Sequence, residues 1–281
     1  TSGAVSMTDH VSVVVPVFNC LPLAQDAIAK LKAYTQMEGE RGPVDVPLRF
    51  ILVDNASDEP AERLKGWLGE SLTVIRNETN RGVYQALNQA LALVESDLVI
   101  IQCTDHYPLP RWFQPCWAAL QQFPEVGWAS PTWQEGPYHL RQAWNALQPV
   151  TYGIRSELGS SFGLLHWKLL KEKVGFFDEQ FTMVYGDTDL VERMNDAGLR
   201  CAVVDGAKSH HLGNQSRRGL GLDQDLAFER EDALRFLAKW KDRPDVLARH
   251  PGVQAYADPS QEGRIRAYRE ELWRTQDPGV M

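Results

Sequence analysis

Short apolar runs that alternate with amphipathic segments are the feature that most constrains the fold of this chain. The runs span residues 11–16, 49–54, 72–76, 98–102 and 126–129. Each run is mostly apolar along its length, which is typical of strands that are buried on both faces of a parallel sheet. Strands that are separated by helical segments imply right-handed crossovers. The first half of the chain is therefore predicted to be an α/β unit.

Helical periodicity places helices between these strands, at residues 21–34, 60–68, 83–94 and 110–123. The stretch from 39 to 47 is rich in glycine, proline and charge, and is predicted to be a loop. The pattern is less regular beyond residue 130. There it predicts a strand at 201–204 and helices at 167–174, 187–197, 224–240 and 261–274.

Charge, cysteine spacing and hydropathy exclude several classes of protein. With 29 Lys+Arg against 37 Asp+Glu, the net charge is −8, which argues against a nucleic-acid binder that relies on a basic surface. The four cysteines include no CxxC pair, which excludes a zinc knuckle and a dense disulfide framework. Apolar runs fall short of the roughly 20 residues of a membrane helix, and no signal peptide is recognisable. A cytoplasmic protein without an integral membrane segment is expected.

Polar side chains follow four successive predicted strands, and they include Asn19, Asp54, Asn55, Asn80 and Asp105. In open parallel sheets, ligands bind beyond the carboxyl ends of the strands. We therefore expect these side chains to converge on one polar ligand. A single residue such as Asp58 is equally well explained as a helix cap, whereas four strand ends together favour a binding site.

A series of motifs runs in order from about residue 11 to residue 241. In the first half these are PVFN, LVDNASDE, NRGVYQALNQAL and CTD, and in the second half GFFDEQFTMVYGDTDLVERMNDAGLR, SHHLGNQS and FEREDALRFLAKWK. Together they resemble a family 2 glycosyltransferase of the GT-A fold. The resemblance implies a Rossmann-like, mainly parallel sheet flanked by helices. It also implies a domain at 7–245, with a nucleotide-sugar half (7–130) and an acceptor-side half (131–245), and a helical tail at 246–281.

The resemblance implies a nucleotide-diphosphate sugar as donor and assigns residues to it. Asp54 is expected to accept hydrogen bonds from the base, and Gly82 to allow the backbone close to the nucleotide. Arg217 is expected to lie in a loop that closes on the diphosphate. The other residues expected along the donor are Pro16, Phe18, Asn19, Asn55, Asn80, Thr104 and Asp105.

The resemblance also implies a divalent cation at the diphosphate, Mn²⁺ or Mg²⁺, with Asp105 and His211 as ligands. His210 is a competing candidate for the histidine. Asp105 matches the second acid of the family's DxD motif, but Cys103 stands in place of the first acid. A thiol is a poor ligand for a hard cation, so metal assistance is expected with one carboxylate fewer.

Asp187 matches the family's catalytic base, which implies an inverting transfer to an acceptor hydroxyl. Gly186 stands where relatives carry glutamate, so a supporting carboxylate is missing. Asp187 and Asp189 also fit a simpler role as charges at a helix N-terminus. The sequence leaves open whether the acceptor is a glycan, a lipid-linked saccharide, a protein or a modified nucleic acid, and whether the chain forms a homo-oligomer.

Three alternatives compete with sugar transfer. A non-catalytic sugar-nucleotide binder would fit the departures at Cys103 and Gly186. A serine hydrolase would fit the G-x-S-x-G pattern around Ser161, which Asp187 and His211 follow in the right order. A nucleotidyl transferase would need a glycine-rich, basic phosphate loop, and the PVFNCLPL segment does not provide one.

Overall fold

The computed structural model describes residues 9–135, 150–158, 161–213 and 215–275. Its strands are β1 (Val11–Val17), β2 (Gln36–Gly39), β3 (Gly42–Asp45), β4 (Leu48–Asp54), β5 (Leu72–Arg76), β6 (Leu98–Ile101), β7 (His106–Pro108), β8 (Val126–Glu135), β9 (Thr151–Arg155), β10 (Gly163–His166) and β11 (Arg200–His211). Its helices are α1 (Leu21–Tyr34), α2 (Lys65–Leu68), α3 (Val83–Leu91), α4 (Phe113–Gln122), α5 (Trp167–Lys173), α6 (Gly186–Asp196), α7 (Gln215–Arg218), α8 (Leu222–Lys239), α9 (Pro244–Arg249), α10 (Pro251–Ala257) and α11 (Glu262–Thr275).

One large mixed sheet forms the centre of the fold, in the order β5-β4-β1-β6-β10-β8-β11-β7, with β9 paired to β11. Strands β1, β4, β5 and β6 are parallel. Strand β10 is antiparallel to both β6 and β8, and β11 is parallel to β8. Strands β8 and β11 therefore run in the same direction as β6. As a result, the carboxyl ends of β1, β4, β5, β6, β8 and β11 meet at one edge, which we call the carboxyl edge.

Both faces of the sheet are buried, as expected for its largely parallel strands. Successive side chains of β1 point to opposite faces, so Val13 and Val15 pack into one core while Val14 packs into the other. The first core includes apolar side chains of α1 and α4, and the second includes those of α3, α6 and α8. The predicted α/β class is confirmed.

Several elements differ from the sequence-based prediction. The predicted loop at 39–47 contains part of the β2–β3 hairpin, whose turn uses Gly42 at φ +119°. The predicted helix at 60–68 is a 3₁₀ turn, Ala61–Leu64, followed by the short α2. Strands β8 and β11 extend well beyond the predicted 126–129 and 201–204, because they pair with each other along most of their length.

The C-terminal helices pack on the second core. Val246 of α9 and Val253 of α10 are buried in the cluster that also contains Phe236 and Trp240 of α8. The division at residue 245 and the two functional halves stay predictions, and residues 136–149 of the predicted acceptor-side half lie outside the described residues. Among the described helices, none combines the length and the apolar character needed to cross a bilayer.

Candidate active site

Two predicted site residues, Asp105 and Asp187, lie near the half-buried Cys103 that follows β6, at the carboxyl edge. Burial raises the pKa of the Cys103 thiol to about 12, and the negative charges of Asp105 and Asp187 add to this shift. The thiol is therefore protonated at neutral pH, and it is hydrogen-bonded to Ser161. Burial and the charge of Asp105 also raise the pKa of Cys20, next to α1, to about 11. The end of β1, the loop after β6 and the start of α6 thus meet in one place.

Asp105 and His211 form the predicted carboxylate–imidazole pair. Strand β7 pairs with β11 so that His106 lies opposite His211, and Nε2 of His211 is 3.6 Å from Oδ2 of Asp105. The same Oδ2 accepts the backbone N–H of Gln215 at 3.0 Å. Burial favours a higher pKa for Asp105, but the hydrogen bond and charge of His211 outweigh it, and the pKa is lowered. Asp105 is therefore an ionised carboxylate at neutral pH.

This pair has the chemistry of a divalent-cation site. A carboxylate oxygen and an imidazole nitrogen at this separation can bind one ion together. Of the two candidate histidines, the structure brings His211 to Asp105, whereas His210 is buried within β11 opposite Tyr107. In the part of the chain that the structure describes, no group of three or more His, Cys, Asp or Glu is arranged to hold a metal. The pair fits a cation that takes its remaining ligands from substrate and water.

His106 supports the His211 ring from behind. The two imidazoles stack with their centroids 4.9 Å apart. The ring of Phe162 also stacks on His106, with the centroids 5.2 Å apart. Nε2 of His106 lies 3.0 Å from Oγ of Ser209. Burial and the charge of His211 hold the pKa of His106 well below its usual value, so His106 is neutral. It therefore adds packing without adding positive charge.

Asp187 is half-buried in the first turn of α6. Its Oδ1 accepts the backbone N–H of Thr188 at 2.8 Å and the hydroxyl of Tyr84 at 3.4 Å. Burial raises the pKa of Asp187 above its usual value, although these hydrogen bonds oppose the shift. A carboxylate with a raised pKa is a better proton acceptor than an exposed aspartate.

Asp189 has a structural role, in contrast to Asp187. Its side chain is fully buried, and Oδ2 accepts a hydrogen bond from Nε of Arg193 at 2.8 Å. Oδ1 accepts Nε1–H of Trp240 at 3.1 Å and is paired with Lys239. Asp189 thus connects α6 to the end of α8.

Asn55 connects several of the predicted donor residues. Its Nδ2 donates to Oδ1 of Asn80 at 2.7 Å and to the carbonyl of Gly82 at 3.1 Å. Its Oδ1 accepts from the backbone N–H of Arg81 at 3.0 Å and from Nδ2 of Asn77 at 2.9 Å. These bonds join the loops that follow β4 and β5. The remaining predicted donor residues on neighbouring segments are the half-buried Pro16 and Phe18, the exposed Asn19 and the buried Thr104.

Asp54 is fully buried and organises the loop after β4. Its carboxylate accepts the backbone N–H groups of Ser57 at 2.8 Å and Ala61 at 2.9 Å, and it forms an ion pair with Arg76. Asn19 joins the same loop because its backbone N–H donates to Oγ of Ser57 at 3.0 Å. In this structure the Asp54 carboxylate is bonded to these protein groups. Its expected hydrogen bond to a nucleotide base stays a prediction.

Gly82 is required by a contact that sequence analysis did not foresee. Its φ is +83°, and a Cβ at this position would lie 2.6 Å from the carbonyl oxygen of Thr182. The next residue, Val83, donates its N–H to the same oxygen at 2.8 Å. Glycine is therefore needed for the approach of the Thr182 backbone, whereas the approach of a nucleotide was the expected reason.

Arg217 is bound to α8 in this structure. Its Nε pairs with Asp225 and its Nη2 lies 3.3 Å from Oε2 of Glu229. Arg269 of α11 also pairs with Glu229. The expected contact of Arg217 with a diphosphate stays a prediction.

Ser161 does not lie on a strand-to-helix turn, which is where a hydrolase nucleophile sits. It lies just before strand β10, and it is hydrogen-bonded to the Cys103 thiol. The histidine that would activate it, His211, contacts Asp105. The geometry therefore does not support the serine hydrolase alternative.

Sequence analysis missed the roles of Tyr84 and Asp232. Asp232 is fully buried, and it accepts the backbone N–H groups of Thr182, Met183 and Val184 at 2.7 to 3.0 Å. A signal for its role was present, because acids lie at helical spacing on the same face as a buried aromatic side chain of α8. These residues are Asp225, Glu229, Asp232 and Phe236. Acids on an apolar helix face are buried, and buried carboxylates need partners.

Comparison with solved structures identifies the fold. S. aureus TarS 1-349 in complex with UDP-GlcNAc is similar with a TM-score of 0.57 and 16% identity, over 81% of this chain and 66% of that chain. GalNAc-T7 with UDP, GalNAc and Mn²⁺ is similar with a TM-score of 0.62 and 14% identity, over 96% of this chain and 56% of that chain. The chain thus spans less than two thirds of the length of either solved chain. At these identities the likeness shows the fold, which is GT-A as expected.

Comparison of the sequence identifies the family. No curated protein matches the chain at a significant level. The sequence profile of glycosyl transferase family 2, however, matches residues 12–185, which is more than half of the chain. The matched part includes β1 to β10, Asp105 and the loop that leads into α6. The chain therefore belongs to glycosyl transferase family 2.

Proposed function

We propose that the protein transfers a sugar from a nucleotide-diphosphate sugar to a hydroxyl group of an acceptor. The observation that carries this proposal is the arrangement around Cys103. Asp105, which is paired with His211, and the proton acceptor Asp187 both lie near enough to Cys103 for their charges to raise the pKa of its thiol. Charge neutralisation and proton removal are the two tasks of sugar transfer, and this site has a separate group for each.

The donor is proposed to bind along the carboxyl edge. The Asn55 network fixes the loops after β4 and β5, and Asn55, Asn80 and Gly82 would lie beside the nucleotide. The end of β1 with Pro16, Phe18 and Asn19 would enclose the base and ribose, together with Asp54. Thr104 precedes Asp105 and would lie near the diphosphate, and Arg217 would join it if released from α8.

Asp105 and His211 would hold a divalent ion, Mn²⁺ or Mg²⁺, at the diphosphate. When bound, such an ion neutralises the charge that develops on the leaving nucleotide. The lowered pKa of Asp105 keeps its carboxylate ionised for this purpose. GalNAc-T7, which shares the fold, was crystallised with Mn²⁺, and this supports a divalent ion without selecting one.

Asp187 is proposed to be the general base. Its carboxylate would accept the proton of the acceptor hydroxyl, while that oxygen forms a bond to the anomeric carbon and the bond from this carbon to the diphosphate breaks. Attack from the face opposite to the leaving group gives inversion. The half-buried position and raised pKa of Asp187 support this role.

A panel of nucleotides tests donor binding directly. Because a ligand of the folded state raises the melting temperature, we expect UDP, UDP-GlcNAc or UDP-GalNAc to stabilise the protein more with Mn²⁺ than without it. The two UDP-sugars are chosen because similar structures contain UDP-GlcNAc, or UDP with GalNAc. His211→Ala should lose the Mn²⁺-dependent part of the shift. Absence of any shift across a panel that also includes GDP- and dTDP-sugars would contradict the proposal.

Turnover distinguishes an enzyme from a non-catalytic binder. A sugar-nucleotide binder would give the thermal shift but would not release nucleotide from the donor. An enzyme would release nucleotide, slowly with water as acceptor and faster with the true acceptor.

A further inference from the structure

Tyr84 of α3 packs directly on the first residue of α6. A Cβ on Gly186 would lie 2.6 Å from both Cε2 and Cζ of the Tyr84 ring. Such a distance is far shorter than any real carbon–carbon contact between side chains, so the ring and a larger residue at 186 cannot both occupy their positions. The ring is further held by Phe177, with centroids 5.4 Å apart.

The hydroxyl of Tyr84 reaches the carboxylate that follows Gly186. Its oxygen is 3.4 Å from Oδ1 of Asp187. Burial and the negative charge of Asp187 raise the pKa of Tyr84 well above its usual value. The phenol therefore keeps its proton and can donate it to the carboxylate in a hydrogen bond.

The backbone holds this contact in place from both sides. Tyr84 is the second residue of α3, and α3 begins where Gly82 and Val83 contact the carbonyl of Thr182. Thr182 begins the loop that leads into α6 and Asp187. The start of α3 and the start of α6 are therefore fixed relative to each other, with the Tyr84 hydroxyl between them.

We propose that Tyr84 is a positioning residue, whose hydroxyl holds the Asp187 carboxylate in the orientation that accepts a proton, and that residue 186 is glycine to admit the Tyr84 ring. This inference rests on the proposed role of Asp187 as the base. It explains the departure at Gly186 from the glutamate of relatives, because a tyrosine from another helix occupies the space of that side chain.

The groups around Asp187 determine how its pKa should change when the Tyr84 hydroxyl is removed. Within the described residues, α3 presents Tyr84, and the loop after β6 presents the protonated Cys103, which the charges of both Asp187 and Asp105 reach. Thr188 donates from α6 itself, and Asp232 of α8 acts on Tyr84. Among these groups, the Tyr84 hydroxyl is a side-chain donor that can be removed without changing the packing. Its loss removes a donor that favours the ionised carboxylate, so the pKa of Asp187 should rise.

Tyr84→Phe tests the proposal because phenylalanine keeps the ring on Gly186. We expect kcat for nucleotide release from UDP-GlcNAc with Mn²⁺ to fall about three- to tenfold. This factor corresponds to the usual net free-energy contribution of one hydrogen bond. The KM for the donor should not change, and the acidic limb of the kcat–pH profile should move to higher pH. Tyr34→Phe is the matched control. Tyr34 is the last residue of α1 and packs against the first core, and removal of its hydroxyl should leave kcat and the pH profile unchanged.

Two further measurements separate positioning from structure. In an Asp187→Asn background, Tyr84→Phe should cause no additional loss of kcat, since residues that act through one another are not additive. The ¹³C resonance of the Asp187 carboxyl, assigned by its absence in Asp187→Asn, should titrate at higher pH in Tyr84→Phe. This second readout needs neither donor nor turnover.

The outcomes distinguish the two proposals. If the wild-type protein is active and Asp187→Asn is at least about 100-fold slower, but Tyr84→Phe matches wild type in kcat, pH profile and carboxyl titration, the role of Tyr84 is overturned and the proposed function stands. If the wild-type protein neither binds nor turns over any sugar nucleotide, the proposed function fails, and the role of Tyr84 in catalysis fails with it.

Discussion

The carboxylate of Asp232 accepts the backbone N–H of Thr182 through both of its oxygens, each at 3.0 Å. The carbonyl of the same residue accepts the N–H of Val83 on the other side. Thr182 is therefore held between α8 and α3. The loop from Thr182 continues through Tyr185, which has a left-handed φ of +64°, directly into Gly186 and Asp187. The position of the proposed base is thus set by two helices that are distant in sequence.

Asp232→Asn should weaken this loop markedly. The amide cannot reproduce a buried carboxylate that accepts from three successive N–H groups and pairs with Arg235. We expect the free energy of unfolding in urea to fall by about 2–3 kcal/mol. The neighbouring Glu231→Gln is the control, because Glu231 is exposed and pairs with the same arginine at 3.3 Å. Equal stability of the two variants would contradict the proposed importance of Asp232.

Gly82→Ala should be destabilising for two reasons. Alanine disfavours the φ of +83°, and its Cβ would lie 2.6 Å from a backbone oxygen that cannot move aside easily. We expect a loss of at least about 2 kcal/mol in the free energy of unfolding. Gly252→Ala in α10 is the matched control, since a Cβ there meets no atom within 4 Å among the described residues. That change should be neutral or stabilise by up to about 1 kcal/mol, so a similar effect at both glycines would contradict the account.

The parts of this fold that could be predicted are those with a local signal. Helix α1 and strand β5 have the predicted bounds, because apolar periodicity and a buried run mark them directly. The second half of β8 and the end of β11 have no such signal. They are strands because they pair with each other, as Trp133 does opposite Ser209. The end of β11 also pairs with β7, another segment distant in sequence, and this pairing places His211 beside Asp105.

The residues of the candidate site likewise include some that the sequence could indicate and others that it could not. The resemblance to a family supplied Asp105, His211 and Asp187, and the structure brings all three to the carboxyl edge. The contact between Tyr84 and Gly186 joins residues about a hundred positions apart, so no local pattern could indicate it. The buried environment of Asp54 was missed because its partners reach it through the loop after β4, which places Ala61, and through the pairing of β4 with β5, which places Arg76.

Cys103→Asp should make the protein more dependent on metal. It places a third carboxylate beside Asp105 and Asp187, and like charges in a half-buried site repel each other. Relative to the neutral control Cys103→Ser, we expect a lower melting temperature without metal and a larger rise with Mn²⁺. Each tenfold gain in Mn²⁺ affinity adds about 1.4 kcal/mol of stability at saturating metal. Equal responses of the two variants to Mn²⁺ would show that residue 103 lies outside the metal's reach.

The rate of nucleotide release by Asp187→Asn, measured across pH with the UDP-sugar that gives the largest thermal shift, tests the central claim most directly. The account predicts a loss of at least about 100-fold in kcat, with the Kd for UDP and Mn²⁺ within twofold of wild type. In wild type, kcat should fall as the pH drops, because Asp187 must be ionised to accept a proton. Its raised pKa should start that fall at a higher pH than for an ordinary aspartate. Wild-type kcat in Asp187→Asn, or a wild-type rate that does not decline at acidic pH, would contradict the account.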